Sequence, residues 1–118
     1  MKKLIIVLAL LLISSPAWAV AQLKHTVCPS GCDYTSLNAA FTHLEATHTN
    51  LVTADVYADI EISGDWTAAA DTTAAGIGGI TTDSTHYINV YTTVEARHPG
   101  HWDATKYRII ISGENYGP

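Results

Sequence analysis

One stretch of this chain, DYTSLNAAFTHLEA at residues 33–46, has the spacing of a helix, and nothing after it does. Leu37, Ala40, Phe41 and Leu44 recur at intervals of three and four, with Asn38, Thr42 and Glu45 opposite, which predicts an amphipathic helix with one apolar stripe. Thr35 or Ser36 can cap its start, and THTN ends it with poor helix formers. From Ala54 the period switches to two. Val56, Ala58, Ile60 and Ile62 then point one way, and Asp55, Tyr57, Asp59 and Glu61 the other. Short alternating runs follow at HYINVYTT and KYRIIIS, with a further short strand around 77–81, separated by stretches rich in Ala, Thr, Gly and Asp. The single helical stripe must therefore cover β structure, and a helical bundle is excluded.

The first residues set the compartment. Lys2 and Lys3 precede an unbroken apolar run from Leu4 to Ile13, and SSPAWA supplies small residues, with Ala17 and Ala19 fitting cleavage after Ala19 and Ala19 and Ala21 permitting a cut before Gln22. This is the pattern of a secretory signal peptide, here of bacterial type. The run is about half the ~20 residues that a membrane-spanning helix needs, so no membrane partner is expected once the leader is cut. Cleavage removes two of six basic residues and none of eleven acidic ones, leaving a formal charge of −7. Nucleic acid is not a partner on that balance, because phosphate binding needs clustered Lys and Arg. The expected location is secreted, periplasmic or cell-surface.

Cys28 and Cys32 stand in CPSGC. In an oxidising compartment a disulfide across the Pro29–Gly31 turn is the first reading, since the turn can bring the Cα atoms within ~4.4–6.8 Å. A metal half-site is the alternative, but it lacks a second pair at suitable spacing. The C-x-x-x-C spacing also differs from that of redox-active pairs.

The strand ADIEISGDW at 58–66 has an echo, RIIISGEN, at 108–115: at an offset of 49, Ile60, Ile62, Ser63 and Gly64 fall on Ile109, Ile111, Ser112 and Gly113. From Ile62 to Val90 is 28 residues and from Val90 to Ile111 is 21, spacings in the range of repeat architectures. A short strand HTV, a Gly-containing turn, the helix DYTSLNAAF and then an alternating strand resemble the N-terminal cap of right-handed parallel β-helix proteins of the pectin-lyase-like superfamily. ITTDSTHYINVYTTVEARHPGHWDATKYRIIIS is similar to their first coils. The resemblance implies a mainly β chain: a signal peptide at 1–19, a cap with disulfide turn and capping helix at 20–50, and incomplete first coils at 51–118. It also implies a truncated solenoid whose further partner is the remainder of its own longer chain.

The superfamily implies an exported protein that acts on or binds polysaccharide, as a lyase or glycoside hydrolase whose catalytic residues lie outside this chain. The alternative is a non-catalytic, adhesin-like or structural protein. From the residues themselves, Trp66, Trp102, Tyr57 and Tyr91 offer flat apolar faces for sugar rings, with packing at corners as the competing role. Asp55, Asp59 and Glu61, joined by Asp83 or Asp103, can supply oxygen ligands to calcium, or form a solvated strand face; no other cofactor is expected. HPGH places His98 and His101 beside Trp102 and Asp103, as a metal or acid–base site or as a loop with a packed indole. GIGGIT lacks the Lys-Ser/Thr ending of a phosphate loop.

Overall fold

The structure is a computed structural model that describes residues 19–112. The signal-peptide segment up to Trp18 and the tail from Gly113 lie outside the described residues. The elements run β1 (Ala21–Val27), α1 (Leu37–Thr47), α2 (Leu51–Ala54), β2 (Val56–Ile62) and β3 (Ile88–Thr92). The three strands form one open sheet in the order β1-β2-β3, with both pairings parallel. Among the described residues no helix is long and apolar enough to cross a membrane.

Helix α1 forms where its spacing puts it. The side chain of Ser36 accepts the Ala39 amide at its N-cap, and Leu37, Ala40, Phe41 and Leu44 are its buried face. Strand β2 buries every second residue, Val56, Ala58, Ile60 and Ile62. These two apolar rows meet. Leu37, Ala40 and Phe41 cluster with Val27, Ile60, Ile62, Trp66 and Ala96, and Leu44 clusters with Leu51, Val56 and Ala58. Four-residue α2 carries no periodic signal and was not expected. Its cap is local, with Asn50 Oδ1 accepting the Thr53 amide, and Asp55 ends it in the left-handed region at φ 55°, a conformation that Asp tolerates better than most residues.

This architecture corrects the expected mainly β, parallel β-helix fold. The described chain is a small α/β unit in which three parallel strands lie in one open sheet beside two helices, with no repeated coils. The echo at an offset of 49 does not stack: Ile60 pairs with His25 and Val90, whereas Ile109 makes an isolated bridge with Asp71. Ile, Ser and Gly recur where strands end, and that shared chemistry produced the resemblance between the two segments. Helix α1 covers one face of an open sheet rather than the mouth of a cylinder. The strand expected around 77–81 is reduced to one bridge, Asn50 with Thr81.

Two fastenings complete the fold. Cys28 and Cys32 form a disulfide with a Cα separation of 5.6 Å. The exit turn of β2 packs on it: Gly64 adopts φ +81°, and a Cβ added there would meet Cys28 Cβ at 3.1 Å. The second fastening is Asp71, a carboxylate only 2% exposed. Its Oδ2 accepts the Leu37 amide at 2.8 Å and the Tyr107 hydroxyl at 3.2 Å, and its Oδ1 accepts the Thr73 amide at 3.0 Å. The backbone of Asp71 also donates to Arg108 O and accepts from Ile110 N. Burial, and then the neighbouring Asp71 charge, push the Tyr107 hydroxyl well above its ordinary value.

Leu44 is fully buried between helix and sheet, so Leu44→Ala is expected to cost about 2–5 kcal/mol in chemical denaturation. Gly64→Ala is expected to cost roughly 1–3 kcal/mol, because it combines a positive φ with the cysteine contact. A loss below about 0.5 kcal/mol in either variant would show that the packing described is not formed in solution.

Candidate functional site

Parallel register gives the sheet two unlike faces. Opposite the core, the register puts Lys24, Asp59 and Asn89 in one row and Thr26, Glu61 and Tyr91 in the next, and the long side chains of β1 reach β2 one step along the diagonal. Asp59 accepts from the Gln22 amide and, at 2.9 Å, from the Asn89 amide. Glu61 Oε2 accepts from Lys24 Nζ at 2.9 Å and from the Tyr91 hydroxyl at 2.8 Å. The Lys24 ammonium, followed by the Tyr91 hydroxyl, holds the Glu61 carboxyl below its ordinary value, and the same bonds raise Lys24 and Tyr91. Tyr57 stacks on Tyr87 with ring centroids 5.3 Å apart. Two of the sugar-contact candidates, Tyr57 and Tyr91, therefore share this face with Asp59 and Glu61, but the Tyr91 hydroxyl is spent on Glu61.

The calcium candidates do not converge. Asp55 caps α2 and faces His86 Nε2 at 3.1 Å, while Asp83 Oδ1 faces His86 Nδ1 at 2.8 Å. Asp59 and Glu61 take donors from β1 and β3, and Asp103 caps its own turn through the amide and hydroxyl of Thr105. Among the described residues no group of three or more His, Cys, Asp or Glu side chains is arranged to hold a metal ion. These carboxylates thus do not fit a calcium cage, which needs six to eight oxygens around one point. What forms instead is an Asp55–His86–Asp83 staple from the α2–β2 junction to the loop before β3. A carboxylate at each ring nitrogen calls for the doubly protonated imidazolium, and the hydrogen bonds to Asp55 and then Asp83 raise His86 above its ordinary value.

The two tryptophan candidates part company. Trp66 is 1% exposed, its indole N–H donates to Ser63 O at 2.9 Å, and its ring meets the edge of Tyr107; it is a core residue, and its surroundings exclude a ligand. Trp102 is 69% exposed and stacks on His98 with centroids 5.4 Å apart. His98 is itself locked. Its Nδ1 accepts the Asp103 amide at 3.2 Å, so Nε2 carries the proton and donates to Tyr107 O at 3.0 Å. The indole rests on a fixed imidazole and shows its other face to solvent.

Trp102, His98, Gly100 and His101 line a shallow cleft of about 440 Å³. A second cleft of about 400 Å³ is lined by Gly64, Asp65, Thr67, Glu95, Thr105 and Lys106. The segments that flank the first cleft are laced together, with Tyr107 N donating to Ala96 O and Lys106 Nζ to Glu95 O. Sequence reading missed Asp65, Glu95 and Lys106, whose approach depends on distant segments, and it missed Tyr87 as the partner of Tyr57. HPGH did mark the loop; the use of His98 as a shelf for the indole was not visible in it. Comparison with family models, with curated proteins and with solved structures gave no match to this chain.

The His86 staple has a definite pH dependence. A raised folded-state value means that its stabilisation is fully present below the ordinary histidine value of 6.5 and fades as pH rises through the folded value. An NMR titration is expected to place His86 above 6.5, with Asp55→Asn and Asp83→Asn each lowering it. A midpoint at or below that value would show that the staple is open in solution.

Proposed function

We propose that this is an exported polysaccharide-binding protein that seats a sugar ring on the outer face of Trp102. The observation that carries the reading is an indole 69% exposed yet held in place by His98. A flat indole face in water is a surface on which a sugar ring can stack, and a fixed one loses little entropy on binding. A second cleft supplies carboxylate, hydroxyl and ammonium groups from Asp65, Thr67, Thr105 and Lys106, the mixture of donors and acceptors that a polyol needs. Export is supported by the leader-like N-terminal sequence and by the Cys28–Cys32 disulfide, a bond that belongs to oxidising environments.

Binding is favoured over cleavage by the ionisation of the carboxylates. Asp33, Glu61, Asp65, Asp83 and Asp103 are all pushed below their ordinary values by hydrogen bonds they accept. A glycosidic general acid needs the opposite shift, upwards, so that it holds a proton near neutral pH.

Pull-down on a panel of insoluble neutral polysaccharides, followed by titration with soluble oligosaccharides, tests this reading. Trp102→Ala is expected to weaken binding about tenfold or more, as the loss of a central aromatic contact does, and His98→Ala to weaken it less. Titration should also quench or shift Trp102 fluorescence. Failure of every glycan to bind, or equal binding by Trp102→Ala, would overturn it.

A further inference from the structure

The sheet's core face carries one ionisable group, and its surroundings do not suit it in both states. His25 pairs in register with buried Ile60, so it lies on the side that α1 covers. Its Nε2 is buried and has no hydrogen-bond partner among the described residues. Around it stand the Tyr34 ring at 5.6 Å, edge-on, and the His43 ring from α1 at 5.3 Å, also edge-on, and Tyr34 and His43 lie 5.6 Å from each other. The three rings thus form a closed triangle between β1, the turn after it and α1.

The other groups around His25 do not rescue a charge there. Asp33 is the nearest favourable one, but its Oδ2 already accepts from the Thr26 amide and hydroxyl, both at 2.9 Å. His43, on α1, and His48, at its C-cap, oppose a positive charge. The remaining core-face residues of β2 are Val56, Ala58, Ile60 and Ile62, and those of β3 in register are Ile88, Val90 and Thr92; none of them titrates. Burial, and next the His43 ring, lower His25 below the ordinary 6.5. A neutral imidazole can rest here with Nε2 unprotonated, whereas an imidazolium carries a proton on that buried nitrogen, for which no acceptor stands among the described residues.

We propose that His25, enclosed by Tyr34 and His43, is an acid-sensitive latch: proton uptake by its imidazole loosens α1 from β1 while the β2–β3 pairing stays formed. The change is local because the orphaned nitrogen lies at the β1–α1 contact, and opening that contact is the shortest route to water for the new charge. A depressed folded value gives the sign. The contribution is present above 6.5 and is lost as pH falls through the folded value, opposite to the His86 staple at the other end of β2. Whole-molecule melting would mix the two effects, so local probes are required.

Amide hydrogen exchange on the full chain, corrected for the chemical effect of pH, reads the latch. Between about pH 7.5 and about pH 5, protection of α1 and β1 amides is expected to fall about tenfold or more relative to β2, a difference of about 1.4 kcal/mol. His25→Phe should abolish that fall. If His25→Phe fails to fold, His43→Gln, an exposed change on α1, should shrink it, and in the unaltered protein an NMR titration should place His25 below 6.5. Unchanged relative protection, the same loss in His25→Phe, an undiminished loss in His43→Gln, or a His25 midpoint at or above 6.5 would each overturn the proposal.

Discussion

A buried carboxylate holds this molecule together. Asp71 lies in a long loop between β2 and β3, yet it accepts the first backbone amide of α1 and the hydroxyl of Tyr107, and it bridges Arg108 and Ile110 through its own backbone. Among the described residues no lysine or arginine side chain is a hydrogen-bond partner of its carboxylate. Donated N–H and O–H groups and the positive end of α1 take that role. Removing one member of such a set leaves the others unsatisfied in a dry place, so its contribution is larger than the sum of ordinary surface bonds.

The shelf for Trp102 hangs from the same point. Tyr107, anchored by Asp71, offers the carbonyl that takes the His98 Nε2 proton, and Tyr107 also packs its ring on Trp66. Arg108, the next residue, donates through Nη1 to Trp66 O and Lys106 O and to Ala104 O. A long, helix-free connection is thereby given a fixed shape by polar bonds rather than by an apolar core. That suits a binding loop, which must face water and still be rigid. On the sheet, the polar ladder of Gln22, Asp59 and Asn89 and of Lys24, Glu61 and Tyr91 plays a parallel part. It lets one face of a parallel sheet stay wet, a surface usually covered by helices.

Much of the local structure was legible in the chain. The three-and-four spacing of Leu37 to Leu44 located α1, the alternation from Val56 located β2, and CPSGC located the disulfide. These signals are short-range and depend on period or on turn chemistry. The arrangement of the elements was not legible, because four matching residues at strand ends carry no pairing information. The register that forms is set by which face of β2 meets α1, and the second copy of the pattern, at Ile109, meets Asp71 instead. The functional residues divided on the same line. Trp66 and Trp102 look alike in composition, and only the contacts of Tyr107 and His98 tell the core indole from the free one. The acidic residues Asp55, Asp59 and Glu61 sit close in sequence, but the αL turn at Asp55 sends it to His86, away from the ladder.

The most direct test of this dependence is Asp71→Ala, measured by chemical denaturation together with amide exchange at Leu37 and Thr73, the two amides that its carboxylate accepts. The expected result is a loss of roughly 2–4 kcal/mol, as for removal of a buried hydrogen-bonded charge, with protection lost at both amides and the exposed indole released from its imidazole. Stability within about 0.5 kcal/mol of the parent, or deprotection of one amide without the other, would contradict the claim that one carboxylate joins the helix to the loop that carries it.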